Sequence, residues 1–326
     1  MKMPQMSHAY AVGRVRALER GLLSQAALQR LQNAQSPDEV ARLLTELGWG
    51  ECKTQRDVER QADVQVKRAC DLVRECSPEP EITDCFLVKF DFLNLKILLK
   101  ARLLGVEAGN LSECGVLDVE KLRHAVNDNS YRELPEPFRS VMERIERHIA
   151  SEPDPLYIDA ELDKAMFDLI HRRMAKCGYE RVRRYFCARA DLTNLLIALR
   201  VSAMGRDEEF ARVLMVPGGE IDPGQMTQVV SQPEKAGHLV RSKGYFDRIR
   251  GLTGVDTLAA LEKAADDYAL DLIRPERYNP ESLLPLIGYL LAKEREAGAV
   301  RLIVTAKAVG MSADKLQERL RELYEK

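Results

Sequence analysis

The chain has 326 residues, 49 Lys and Arg against 51 Asp and Glu, 45% hydrophobic residues and only 6% aromatics. A formal net charge of −2 removes the broad positive field that holds nucleic-acid phosphates, so DNA and RNA are excluded as first expectations. The longest nearly apolar run, 283–292, is about half of what a helix needs to cross a bilayer, and the N-terminus lacks the pattern of a secretory signal, with Pro4 and Gln5 where an apolar core would begin.

In chain order, the first expected helix carries the stripe Ala11, Val15, Leu18 and Leu22 opposite Arg16, Glu19 and Arg20. Arg16 and Glu19 have helical spacing, so they form either an intrahelical ion pair or a charged face for a partner. Leu23-Ser24 leads to Leu28 and Leu31, and Ser36-Pro37 opens a further helix with Pro in its first turn. Val64, Ala69, Leu72 and Val73 continue the three- and four-residue steps.

Breaks fall at Ser77-Pro78-Glu79-Pro80, Pro135-Glu136-Pro137, Pro153-Asp154-Pro155, Pro217-Gly218-Gly219 and Asn279-Pro280. The glycines around Pro217 and Pro223 read as a surface turn. Late in the chain, Leu258, Leu261, Ala265, Tyr268 and Leu272 form another helical stripe. No segment alternates convincingly as a strand, so the expected fold class is all-α.

A repeat close to one hundred residues long overlies this pattern. Asp91-x-x-Asn94-Leu95-Lys96 runs to Lys100 and Gly105, Asp191-x-x-Asn194-Leu195 runs to Arg200 and Gly205, and a weaker copy, Glu296-Ala-Gly-Ala299-Val300-Arg301, runs to Gly310. Leu117-Asp118, Ile221-Asp222 and Met311-Ser312 follow the copies as apolar-plus-cap pairs, and Leu23-Ser24 is a further version of that pair. Three helical modules are expected, 1–110, 111–215 and 216–326, arranged as a funnel or cup, with the N-terminal helices free to pack with the last module. Asp91 and Asp191 are read as caps of the helices that follow them. Asn94 and Asn194, poor helix formers in apolar runs, are expected either as buried amides hydrogen-bonded to a neighbouring helix or as exposed amides lining the hollow.

Catalytic patterns are missing. There is no Gly-x-x-x-x-Gly-Lys-Ser/Thr loop and no Gly-x-Ser-x-Gly, and no histidine has a second one helical turn away. The seven cysteines lack CxxC spacing and read as buried thiols in a reducing compartment. No catalytic residue, cofactor or metal site is therefore expected; the chain reads as one that grips other proteins.

Tyr10-Ala-Val-Gly13-Arg14-Val-Arg16-Ala-Leu-Glu19, the two Asp-x-x-Asn-Leu copies and Lys293-Glu294-x-Glu296-x-x-x-Val300-Arg301-Leu302-Ile303 through Lys307 together resemble the C subunit of bacterial and archaeal V-type (A/V-type) ATPases, the counterpart of the d subunit of eukaryotic V-ATPases. The resemblance spans essentially the whole chain, with departures at Leu196 and Ala299. It implies a non-catalytic rotor component, one copy per complex, peripheral to the cytoplasmic face of the membrane. Such a component seats the D and F subunits of the central stalk on the proteolipid ring and passes torque for proton or sodium transport coupled to ATP hydrolysis or synthesis. Arg14, Arg16, Glu19, Lys96, Lys100, Arg102, Arg200, Arg301 and Lys307 are then candidate partner contacts, steering docking by charge. The alternatives are a helical protein-interaction scaffold unrelated to rotary ATPases, which the long repeat argues against, and a helical enzyme built from scattered polar groups.

Overall fold

A computed structural model describes residues 7–244 and 258–324. Every regular element among them is helical, with no strand, as the unbroken three- and four-residue periodicity requires. The chain divides into two compact units, one of Met1–Thr83 with Glu262–Lys326 and one of Asp84–Leu261.

The first unit contains α1 (His8–Leu18), α2 (Gln25–Asn33), α3 (Pro37–Glu46) and α4 (Gln55–Cys76) from the N-terminal side. From the C-terminal side come α13 (Leu258–Ile273, entering the unit at Glu262), α14 (Leu284–Ala308) and α15 (Ala313–Arg319). Local sequence sets their starts. Ser7, Ser24, Ser36 and Thr54 each turn a side-chain oxygen onto a first-turn N–H, and Pro37 sits where no N–H is needed. Thr54 and Asp57 form a reciprocal capping box. Helix α14 is buried on nearly every side, from Leu284 through Ala306. Apolar residues all round a helix place it at the centre of a core rather than on its surface, and α4, α3, α2 and α1 pack around it.

The second unit is built on α5 (Pro80–Leu104, entering the unit at Asp84) and α9 (Glu180–Ala203), with α6 (Val119–Asn127), α7 (Phe138–Ile149), α8 (Pro155–Met174), α10 (Glu208–Leu214), α11 (Pro223–Ser231) and α12 (Ala236–Ser242). Phe86 of α5 meets Tyr185 and Phe186 of α9 at centroid distances of 5.2 and 4.7 Å, and Phe92 stacks on Phe138 of α7 at 4.8 Å. These rings give the unit a dense apolar centre despite the low aromatic content.

The expected breaks before Asp91 and Asp191 do not occur. Both residues lie mid-helix, eleven positions beyond the first residues of α5 and α9, so they do not cap their own helices. The apolar run that suggested a fresh start at each is the buried second half of a longer helix.

Candidate functional site: three carboxylate clamps

The repeated residues act on a neighbouring loop. Asn94 is fully buried; its Nδ2 donates to the Ser112 carbonyl and its Oδ1 accepts from the Ser112 N–H, both at 2.8 Å. Asp91, also fully buried, accepts from the Val116 N–H at 2.7 Å and the Leu117 N–H at 2.9 Å. Asp118 then caps α6 by accepting from the Lys121 N–H. Buried side chains on a rigid helix thus pair with backbone groups of the loop entering the next helix, which satisfies the buried carboxylate and amide as well as the loop.

The second copy repeats this atom for atom. Asn194 exchanges a pair of hydrogen bonds with Val216 at 2.9 and 2.8 Å, Asp191 accepts from Glu220 and Ile221 at 3.0 Å each, and Asp222 caps α11 through Gln225. The loop span from Asn to its partner is 22 residues here against 18 in the first copy. The extra four residues let α10 form before the clamp begins.

The third copy closes on the other end of the chain. Glu296, buried, accepts from the Leu23 N–H at 2.5 Å across 273 residues of sequence, and Ser24 caps α2 through Ala27. Leu23-Ser24 therefore occupies the place of Leu117-Asp118 and Ile221-Asp222. Met311-Ser312 does not; Ser312 precedes α15, which matches α10, since Asp207 and Ser312 each lie sixteen residues past their clamp carboxylates. Ala299 supplies no amide. Instead Lys293, buried, donates to the Gly21 carbonyl at 3.2 Å and pairs with Glu296 at 2.9 Å.

One signal in the sequence was missed: each clamped loop reads Gly-x-apolar-cap, as Gly115-Val-Leu-Asp118, Gly219-Glu-Ile-Asp222 and Gly21-Leu-Leu-Ser24. A Cβ on Gly115 or Gly219 would lie 2.0 Å from the Asp91 or Asp191 Oδ1, so Gly219 is a close-approach position as well as part of a turn. At Gly21 a Cβ would meet nothing within 4 Å. The longer Glu side chain reaches its loop from farther away.

The three long helices also end alike. Gly105, Gly205 and Gly310 have φ of +66°, +66° and +65°. Val106, Arg206 and Met311 donate back to Ala101, Val201 and Ala306, the paired bonding of a Schellman stop.

The charged candidates have partners inside the chain. Lys96 meets Asp163 and Lys100 meets Asp159, each at 2.6 Å between α5 and α8. Arg102 donates to the Val126 carbonyl at 2.7 Å and bonds Glu146. Burial works against the Arg102 charge, but Glu146 and Tyr131 outweigh it and raise the pKa; burial and Glu146 push the Tyr131 phenol up as well. Arg14 reaches Glu75 at 3.2 Å, Arg301 reaches Asp63 at 2.5 Å, and Lys307 donates to the Gln32 carbonyl at 2.6 Å. Arg16 pairs with Glu19 at i,i+3, and Glu19, 5% exposed, is held from its other side by Arg277 at 3.3 Å. Arg200 lies on the exposed side of α9. Sequence reasoning did not single out Arg277, because nothing in its local pattern signals a partner 258 residues away.

Among the described residues no group of three or more His, Cys, Asp or Glu side chains could hold a metal ion, and no helix is long and apolar enough to cross a membrane.

Comparison with known proteins gives the same family along the chain. The family model for the ATP synthase (C/AC39) subunit matches residues 11–319. The C subunit of the V-type sodium ATPase of Enterococcus hirae is 24% identical over 83% of this chain and 84% of its own length. The C subunits of the A-type ATP synthases of Methanocaldococcus jannaschii and Methanosarcina mazei are 23% and 24% identical, over 96% and 98% of this chain and 86% and 94% of theirs. All three clamps, from Leu23 to Glu296, lie inside the matched region, and the chain belongs to the ATP synthase (C/AC39) subunit family of structural, non-catalytic components of rotary ATPases.

Proposed function

We propose that this chain is the central-rotor component that joins the D and F subunits of the stalk to the membrane proteolipid ring, on the cytoplasmic face and in one copy per complex, and that it transmits torque for ATP-coupled proton or sodium transport. The family match over residues 11–319 carries the reading. The clamps support it physically. A torque-bearing link must resist local unfolding, and each clamp ties a loop to the middle of a long helix through charge-assisted bonds that are shielded from water. In the third, the N-terminal and C-terminal segments are bound to each other, so neither end can peel away without exposing a buried carboxylate. The three-module funnel expected from the repeats belongs to this proposal, with the stalk received in its hollow.

Half-exposed charges, Arg14 and Arg301 among them, together with Arg16, Lys96, Lys100, Arg102, Arg200 and Lys307, are the proposed sources of contacts to stalk and ring, while Glu19, buried between Arg16 and Arg277, is not a direct contact. The test is capture by the tagged full chain from a mixture of purified stalk and ring. Capture of both at once, weakened by joint reversal of Arg14 and Arg301 to Glu, is the expected result; capture of neither refutes the reading.

A further inference from the structure

The turn between α8 and α9 concentrates positive charge, and ion pairs use only part of it, as where Arg172 meets Asp168 at 2.6 Å. Residues 171–184 contain six Lys and Arg residues, namely Arg172, Arg173, Lys176, Arg181, Arg183 and Arg184, against a single carboxylate, Glu180, in a chain whose net charge is −2. All but Arg173 are exposed. Lys176, Arg183 and Arg184 make no ion pair with any described residue. The end of α12 lies beside it: a Cβ on Gly244 would come within 3.1 Å of the Arg184 guanidinium, and the neighbouring Lys243 pairs with Glu220 at 3.8 Å.

This placement is electrostatically costly for the isolated chain. Three arginines occupy the first turns of α9, whose start has no side-chain cap, so like charge meets the positive end of the helix dipole. An anionic surface laid over the turn would relieve that cost.

We propose that this face docks on anionic phospholipid headgroups. Clustered arginines pair with phosphate oxygens in bidentate fashion, and clustered Lys and Arg are drawn to the negative surface of acidic bilayers. An acidic polypeptide fits less well. Protein interfaces are centred on large apolar or aromatic anchors, and no exposed large hydrophobic residue lies between Leu156 and Met204. The inference does not depend on the rotor reading, because the isolated full chain tests it.

The experiment is co-sedimentation of the full chain with vesicles of phosphatidylcholine alone or with about one-third phosphatidylglycerol, in low and high salt. Binding is expected only to the anionic vesicles and is expected to fall steeply with salt. The triple variant Lys176→Glu, Arg183→Glu, Arg184→Glu should bind at least tenfold more weakly, and the milder Lys176→Gln, Arg183→Gln, Arg184→Gln should also lose binding with an unchanged thermal midpoint. The charge-matched control Arg42→Glu, Lys53→Glu, Arg60→Glu on exposed positions of the other unit should bind as the unmodified chain does. Equal loss in the control, equal binding to neutral vesicles, or binding of poly-glutamate through the three residues without any vesicle binding would each overturn the proposal.

Discussion

Asp91 and Asp191 each hold two backbone N–H groups across a space that a single methyl group would fill. Gly115→Ala or Gly219→Ala must push the loop off its carboxylate, and each should destabilise the protein by roughly 2 kcal/mol or more, the cost of overpacking together with unmet buried polar groups. Gly21→Ala in the third copy should change stability by less than about 0.5 kcal/mol. Urea denaturation of the three variants checks both statements at once. The paired Asp and Asn were legible from their spacing, and a buried, bonded amide was one of the two forms expected of the Asn, though its partner is a loop residue, Ser112 or Val216, rather than the neighbouring helix expected. The target of the Asp was not legible. A carboxylate that caps a distant loop looks, in one dimension, like one that caps the helix after it.

A second residue-scale consequence concerns the Cys85 thiol, which burial pushes up to about 11, with Arg173 opposing. Between the ordinary thiol value and about 11, the unfolded chain releases a proton that the folded chain keeps, so stability is complete below that window and falls as pH rises through it. At its full extent the loss is about 2–3 kcal/mol. Cys85→Ala should therefore show a shallower decline in urea-measured stability between pH 9 and 11 than the unmodified protein. An identical slope would mean that the thiol ionises alike in both states.

Among the elements, α5, α9 and α14 share one design: a clamp carboxylate in the body and a left-handed glycine at the end. Replacing Gly105, Gly205 or Gly310 by Ala forces a Cβ into φ near +66°, which should cost about 1 kcal/mol each in a thermal melt. The stops were readable because a glycine at constant distance from a repeated motif has a conformational meaning. The connection of α14 to the N-terminal helices was harder to read, since the Leu23–Glu296 bond joins residues 273 apart. Only the match of Leu23-Ser24 to the other cap pairs pointed to it. Lys293→Met should cost about 3 kcal/mol by removing the cation that stands 2.9 Å from the buried Glu296 carboxylate. Adding Glu296→Gln should recover part of that loss, because the amide oxygen still accepts from Leu23 without carrying charge. A double variant no more stable than Lys293→Met alone in denaturant titration would show that the charge is not what the lysine compensates.

For the whole molecule, periodicity, punctuation and the long repeat were enough to give an all-helical chain, and four weak motifs in order gave the family that the match over residues 11–319 shows. Charged surface residues were the least legible feature. Lys96, Lys100 and Arg301 look like free docking charges in sequence, yet their carboxylates, Asp163, Asp159 and Asp63, come from other helices, and no local pattern encodes such pairing. The clamps tie loops to long helices inside each unit, and the proposed role requires force to pass through the chain. The most direct test is reconstitution of the rotary complex in vesicles with and without this chain, following ATP hydrolysis and ion uptake together. With the chain present, hydrolysis should drive uptake; without it, hydrolysis should persist in the head while uptake ceases. Coupled uptake at full rate in its absence would contradict the account.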